Sequence, residues 1–199
     1  MKRLAITGAI GSGKSTVCRA LSALAGVPIY DSDLRARQIM NAHPQVRAEL
    51  IELFGEEAYG ADGLNRPYIA AKAFGDVELL QRLNGIVHPR VVEDFESWAE
   101  SITGVPYVIL ESALLFTSPL VGHYDVSVAV EAPEQVRVER CMLRDGTTEE
   151  NIRARMARQM TPQEMARRAD RVVCNDGSRP LDEQLVAIDR LMREKGDRA

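Results

Sequence analysis

The sequence predicts an α/β protein in which helices cover both faces of a parallel sheet. Two observations predict it. Short apolar segments such as 4–7 and 105–110 have the length and β-branched content of buried strands, and segments with apolar residues at helical spacing separate them. Strands joined through helices form right-handed βαβ units, so their sheet is parallel and buried on both sides. The 199 residues, 45% hydrophobic and 27% charged, fit one globular domain.

The elements can be placed in chain order. Strands are expected at 4–7, 27–30, 105–110, 125–130 and 172–174. Helices are expected at 16–24, 34–40, 134–143, 148–160 and 181–192, the first ending before Gly26. The stretch 44–103 is mostly helical in pattern, with turn residues at 60–67 and one or two long helices at 76–102 that are bent or broken near 85–89. We therefore expect a core of about 1–43 and 104–199 with a helical insertion at about 44–103.

Composition excludes several classes of protein. The formal net charge is −4 and the pI about 5.5, which gives no support for nucleic-acid binding. Three scattered cysteines form no zinc motif or disulfide framework and fit a reducing compartment. The first apolar run is too short for a signal peptide, and no run has the length of a membrane span. We expect a cytoplasmic protein that binds neither membranes nor nucleic acid.

Residues 8–15, Gly-Ala-Ile-Gly-Ser-Gly-Lys-Ser, match the phosphate-binding pattern G-x-x-x-x-G-K-[S/T]. Glycines in this loop, the P-loop, let successive N–H groups point inward around an anion, and the following helix adds its positive N-terminus. Lys14 is expected to reach the β- and γ-phosphates and Ser15 to bind Mg²⁺. The predicted strand before the loop and helix after it disfavour a chance match.

A P-loop alone does not name a reaction. A GTPase switch would carry D-x-x-G and N-K-x-D, yet no Asp here has Gly three positions later and no Asn precedes Lys. A small-molecule kinase needs a carboxylate near the acceptor hydroxyl, and Asp31-Ser32-Asp33 follows the second strand at the edge where such a sheet binds ligands. The alternative is that both carboxylates only cap the next helix.

Arginines provide the positive charge that phosphoryl transfer requires. Arg137, Arg140 and Arg144 share one face of a predicted helix, and the next helix carries three more arginines. With Gly146 between the helices, residues 134–160 are expected to form a lid over the nucleotide. A solvated face, balanced by neighbouring Glu and Asp, is the alternative.

Several segments together resemble the dephospho-coenzyme A (dephospho-CoA) kinase family, over about residues 3–177. They are the P-loop extended to Thr16, the Asp31-Ser32-Asp33 segment, Leu64-Asn65-Arg66, Leu83 to Pro89 with its His-Pro pair, Leu114-Leu115-Phe116, Arg140 to Gly146, Arg155 to Gln159, and Ala169-Asp170 to Asn175. Pro normally precedes the Leu-Leu-Phe stretch in the family and Glu follows it. Here Ala113 and Thr117 stand there, and Glu111 could supply a carboxylate from a shifted position.

The resemblance implies a kinase that uses ATP and Mg²⁺ to phosphorylate the ribose 3'-hydroxyl of dephospho-CoA. It implies that Asp33 is the acceptor-side base, that Arg140 contacts the transferred phosphoryl group and that Asn175 lies near the adenine. The complete sets that it implies are Asp33, Lys14 and Arg140 for catalysis; Gly11, Ser12, Gly13, Lys14, Ser15, Thr16, Arg144 and Asn175 for ATP; Asp33, Arg66 and His88 for the acceptor; and Ser15 for the metal.

Alternatives remain at two acceptor positions and for the function. Pro89 disfavours helical geometry at His88, which either binds the acceptor or packs at a helix break. Arg66 either binds the acceptor or is a solvated turn residue. Another P-loop kinase, acting on a nucleoside or nucleotide, and a nucleotide-gated binding protein are the competing functions. A monomer or weak homo-oligomer is expected.

Overall fold

The computed structural model describes residues 1–73 and 75–194. It contains two compact units: the first joins Met1–Asp31 to the described residues from Ile102 onward, and the second is Ser32–Ser101. Within these residues, no helix combines the length and the apolar character that crossing a membrane requires.

The first unit is built on a parallel sheet of five strands among the described residues. The strands are β1 (Lys2–Thr7), β2 (Ile29–Asp31), β5 (Tyr107–Glu111), β6 (Val126–Glu131) and β7 (Arg171–Cys174). They are ordered β2-β5-β1-β6-β7, which places the first strand in the middle. The five strands expected from the sequence are confirmed, with bounds shifted by a few residues.

Helices lie on both faces of this sheet, as expected. Those of the first unit are α1 (Lys14–Ala25), α6 (Glu134–Asp145), α7 (Glu149–Met156), α8 (Pro162–Arg168) and α9 (Leu181–Arg193). On one face, alternate strand residues such as Ile6 and Val130 form the main core with α1 and α9. On the other, Ala129 packs with Met165 of α8. Helix α7 ends at Met156, earlier than the 160 expected.

The second unit is mainly helical, as expected. It contains α2 (Ser32–Ala42), α3 (Pro44–Phe54), α4 (Arg66–Ala73) and α5 (Val77–Ser101), and a small antiparallel pair, β3 (Tyr59–Gly60) and β4 (Gly63–Leu64), within the turn-rich stretch. Its own core includes Val46, Leu50 and Ile69. Helix α2, which we placed with the sheet, belongs to this unit, and its Arg35 pairs with Asp94 of α5 at 2.6 Å.

Of the one or two long helices expected at 76–102, one is present, because α5 continues through Gly85 and Pro89. Proline removes one helical hydrogen bond and crowds the carbonyl four residues earlier, which here belongs to Gly85. Buried Val87 and Val91 anchor the helix on both sides of the proline. His88 therefore has helical geometry, contrary to the expectation from Pro89.

Candidate active site

The P-loop joins β1 to α1 in a conformation that depends on glycine. Gly11 and Gly13 have φ values of +80° and +85°, in the left-handed region. A Cβ at Gly11 would collide with the backbone of Arg137, and one at Gly13 with the side-chain amide of Asn175. Gly8 is as confined, since a Cβ there would lie 2.7 Å from the carbonyl oxygen of Val130. The loop is therefore tightly enclosed by α6 and by the ends of β6 and β7.

The N-terminus of α1 is suited to an anion. Gly13 occupies its N-cap, and its first turn, Lys14-Ser15-Thr16, contains no acidic residue. The first N–H groups of a helix lack intrahelical acceptors and attract phosphate. Thr16 is exposed there, and its N–H donates to the Gly13 carbonyl at 2.9 Å.

Two hydroxyl groups at the loop are buried. Among the described residues, Thr7 Oγ1 and Ser12 Oγ have no hydrogen-bond partner. Buried hydroxyls without partners are uncommon in folded proteins and often mark a missing ligand or water. Thr7 directly precedes the loop that the sequence assigned to phosphate, and Ser12 lies within it.

Glu111 connects the lysine and the serine of the P-loop. It is the last residue of β5, is only 5% exposed, and its Oε1 accepts hydrogen bonds from Lys14 Nζ at 3.0 Å and Ser15 Oγ at 2.5 Å. The sequence singled out Glu111 only as a carboxylate in a shifted position. The strand order explains the contact, because β5 lies beside β1 and ends at the same edge of the sheet.

Further acidic and thiol groups surround Glu111. Asp31 of β2 is its register partner, and register partners of adjacent parallel strands project to the same face. Burial, reinforced by the neighbouring Glu111 carboxylate, raises the pKa of the Cys18 thiol well above its usual range. Cys18 is therefore a neutral thiol beside the Lys14–Glu111 pair.

Arg140 and Asn175 meet at the P-loop. Arg140 Nη1 and Asn175 Nδ2 donate to the same acceptor, the Ser12 carbonyl, at 3.4 and 2.9 Å. Asn175 directly follows β7, and its own N–H donates to the Glu131 carbonyl at 2.8 Å. The structure thus brings a residue from α6 and one from the β7 edge to the phosphate loop.

Arg144 is held differently. It donates to both oxygens of Asp145, at 2.7 and 3.1 Å, and Arg155 of α7 donates to the same carboxylate at 2.6 Å. The hydrogen bonds from Arg144, and to a lesser extent those from Arg155, hold the pKa of the Asp145 carboxyl well below its usual range. Arg144 is 60% exposed along its side chain and, unlike Arg140, is paired with a carboxylate in this structure.

The acceptor-side candidates all lie in the second unit. Asp33 is half-buried in the first turn of α2. Arg66 is exposed and begins α4. His88 is half-buried in α5, where burial lowers its pKa, so it is neutral at pH 7 and offers hydrogen bonds rather than positive charge.

Two further P-loop contacts were not assigned from the sequence. Gln159 accepts a hydrogen bond from the Ile10 N–H at 2.9 Å, and Arg137 donates to the Ile10 carbonyl at 3.4 Å. Gln159 was noted only as the end of a motif, and Arg137 only as one of several arginines on a helical face.

The loop, the helix that it starts and the carboxylate at the end of the neighbouring strand define a P-loop protein of the kind that binds nucleoside triphosphates. The shikimate kinase of Acinetobacter baumannii, solved with shikimate, has the same fold, with a TM-score of 0.57 at 16% identity and coverage of 96% of this chain and 93% of that one. Within this class, the family model for dephospho-CoA kinase matches residues 3–180.

Individual relatives agree with the family model. The dephospho-CoA kinase of Salinibacter ruber is 42% identical over 181 residues, which cover 89% of this chain and 90% of the relative. The crystal structure of TT1252 from Thermus thermophilus has a TM-score of 0.83 at 35% identity and covers 98% of both chains. The chain belongs to the dephospho-CoA kinase family, whose members phosphorylate dephospho-CoA to CoA in the last step of CoA biosynthesis.

Proposed function

We propose that this protein transfers the γ-phosphoryl group of ATP to the ribose 3'-hydroxyl of dephospho-CoA. Membership of the family gives the overall reaction and implies ATP as the donor. The observation that carries the site assignment is the buried Glu111, which binds both Lys14 and Ser15 of the P-loop. A glycine-rich turn without a role in phosphate binding would not require a buried carboxylate against its lysine and serine.

On the donor side, the P-loop N–H groups and the start of α1 hold the phosphates, with Gly11, Ser12, Gly13, Lys14, Ser15 and Thr16 forming the cradle. Lys14 exchanges its contact with Glu111 for the β- and γ-phosphates. Arg140 already lies at the Ser12 carbonyl, so it needs little movement to reach the transferring group. Asn175 donates to the same Ser12 carbonyl, and the family resemblance implies that it also lies near the adenine. Arg144 would leave its ion pair with Asp145 and bind ATP together with Arg140 and Asn175.

Mg²⁺ is part of the proposal, and the residues present fit it. Mg²⁺ prefers oxygen ligands and keeps several waters, so one or two protein oxygens beside the phosphates are sufficient. Ser15 Oγ would bind the ion directly, and the Glu111 carboxylate, 2.5 Å from that hydroxyl, would accept hydrogen bonds from its waters. When bound, the ion would neutralise negative charge on the phosphate oxygens.

On the acceptor side, Asp33 orients the 3'-hydroxyl and accepts its proton as the new bond forms. The 3'-oxygen bonds to the γ-phosphorus, the bond from that phosphorus to the β,γ-bridging oxygen breaks, and ADP leaves with the electron pair. Arg66 would bind an anionic group of the acceptor. His88, neutral at pH 7, would contribute a hydrogen bond.

An acceptor panel tests the function. The protein is incubated with ATP, Mg²⁺ and, in separate reactions, dephospho-CoA, shikimate, adenosine and AMP, and products are identified by mass spectrometry and ³¹P NMR. Phosphorylation of dephospho-CoA at the 3' position, with at most slow turnover of the others, is the expected result. Preferred phosphorylation of a nucleoside or nucleotide would favour the competing kinase assignment, and nucleotide binding without any product would favour a binding protein.

Glu111→Gln is expected to raise the Mg²⁺ concentration needed for tight ADP binding by about 10–100-fold, the usual effect of removing a group that supports a metal ligand. The measurement is calorimetric titration with ADP at a series of Mg²⁺ concentrations. Glu131→Gln is the matched control, because Glu131 ends β6, which lies on the other side of β1 from β5, and should leave the Mg²⁺ dependence unchanged. Equal Mg²⁺ dependence in Glu111→Gln and the unaltered protein would contradict the assignment.

We also propose that the enzyme acts in the cytoplasm as a monomer or weak homo-oligomer. Its three cysteines are free thiols, and Cys18 and Cys141 are buried, which suits a reducing compartment. Sedimentation equilibrium with and without ATP would determine the oligomeric state.

A further inference from the structure

Ile10 is the P-loop residue at which the loop contacts the helical pair α6–α7. Both its N–H group and its carbonyl group form hydrogen bonds to that segment. The Ile10 N–H donates to Gln159 Oε1 at 2.9 Å, and the Ile10 carbonyl accepts from Arg137 Nη1 at 3.4 Å. Because the N–H already donates to Gln159, Ile10 has a role in the loop other than binding phosphate through that group.

The side chain of Ile10 packs into the interior of the helical pair. Val138 and Cys141 of α6 and Ile152 of α7 form a fully buried apolar cluster, and Ile10 and Met156 pack against it. The loop thus contributes an apolar side chain to the core that holds α6 and α7 together.

The two hydrogen bonds come from the two ends of the helical pair. Arg137 lies one turn into α6, is only 5% exposed, and is fixed by a second hydrogen bond from its Nε to the Ala132 carbonyl at 3.1 Å. Gln159 lies after the end of α7 and before α8 begins. One P-loop residue therefore links the beginning and the end of the segment that is expected to cover the nucleotide.

The segment also borders open space. A cavity of about 600 Å³ is lined by Arg137, Met156 and Gln159, among other residues. The end of α7 can therefore shift without first displacing a packed neighbour on that side. Any such shift would alter the two hydrogen bonds and the packing at Ile10.

We propose that Ile10 couples phosphate binding in the P-loop to the position of α6–α7, and that Gln159 is a positioning residue which completes this coupling. Phosphate orders the loop, the ordered loop fixes Ile10, and Ile10 fixes α6–α7 through its side chain and through Gln159. Arg140, which belongs to α6, is thereby held at the loop when phosphate is present. The inference rests on the proposed function only in taking residues 8–15 as the phosphate site.

Hydrogen exchange of the whole protein with and without pyrophosphate tests the proposal. In the unaltered protein, pyrophosphate is expected to slow amide exchange in α7 by about fivefold or more, which is the size of ordinary coupling between two sites. In Ile10→Ala, the slowing should be less than about twofold. Direct contacts between arginines and pyrophosphate survive in this variant, so only transmission through Ile10 is lost. Calorimetry in parallel records whether pyrophosphate binds.

Three further variants separate coupling from stability. Val138→Ala weakens the same apolar cluster without altering the loop, so exchange in α7 should be faster while the effect of pyrophosphate stays the same. Gln159→Leu removes the acceptor for the Ile10 N–H and should lose the effect. Gln159→Glu retains an acceptor oxygen and should restore it. In steady-state kinetics, Gln159→Leu should lower kcat by about tenfold with a smaller change in the KM for ATP, since aligned catalytic groups depend on such supports.

Two results would overturn the inference alone. One is an unchanged effect of pyrophosphate in both Ile10→Ala and Gln159→Leu. The other is binding of pyrophosphate to the unaltered protein without slower exchange in α7. Failure of the unaltered protein to bind pyrophosphate at all would overturn the phosphate site of the proposed function, and the inference with it.

Discussion

Arg140→Ala is expected to lower kcat on the order of a thousandfold or more, because an arginine that stabilises the transferring phosphoryl group contributes a factor of this size. The affinity for ATP should fall much less, since the loop and α1 hold the phosphates in the ground state. The position of Arg140 supports this division, as its guanidinium already lies at the Ser12 carbonyl of the loop. Arg140→Lys keeps the charge without the planar donor pair and should recover part of the rate.

The measurements are kcat and KM for both substrates, with the dissociation constant for ATP from calorimetry. Arg153→Ala is the matched control, because Arg153 is in the same helical pair but bonds to Glu134 and Glu149. Exposed ion pairs of this kind contribute little to stability. Arg153→Ala should therefore stay folded, and because Arg153 does not contact the P-loop it should keep its activity. If Arg140→Ala changes only ATP affinity, Arg140 binds the ground state and does not stabilise the transfer.

The sheet could be predicted from the sequence because each strand is a short apolar run bounded by turn residues. Helix α8 was missed, although Thr161 caps it and Pro162 occupies its first turn. Its seven residues contain little periodicity, and it is held mainly by Met165 in a tertiary cluster. Local pattern does not show such packing.

Helix α5 shows the opposite effect. Gly85 and Pro89 are both unfavourable in a helix, so local rules predict a bend or a break. Val87, Val91 and Phe95 recur at four-residue intervals and are all buried, and tertiary packing of that face outweighs the local cost. The same packing explains why His88 is helical despite the proline after it.

The residues of the candidate site also differ in how far the sequence could predict them. The P-loop is contiguous in sequence, so its glycines, Lys14 and Ser15 could be assigned directly. Glu111 lies 97 residues from Lys14, and their contact follows from strand order, which no local pattern reveals. Gln159 is 149 residues from Ile10, and its bond depends on where the end of α7 packs. Partners that are distant in sequence from the loop can be identified only once the fold is known.

Asp33→Asn is expected to lower turnover of dephospho-CoA by roughly 100- to 10,000-fold and to leave ATP binding nearly unchanged, the usual size of a general-base contribution. A ribose hydroxyl is too weak an acid to ionise near pH 7, so it needs a carboxylate that orients it and accepts its proton. Asn keeps the shape of Asp33 and loses that basicity. Asp33 lies in the first turn of α2, immediately after the carboxyl end of β2, the edge at which such sheets bind ligands.

Asp31 is the matched control two residues earlier. It ends β2 on the same face as Glu111, so Asp31→Asn should alter the melting temperature or the affinity for ATP and largely spare turnover at saturating substrates. Both variants need kcat, calorimetric ATP binding and melting temperatures. An inactive Asp31→Asn beside an active Asp33→Asn would reverse the assignment and place the base on β2, beside Glu111.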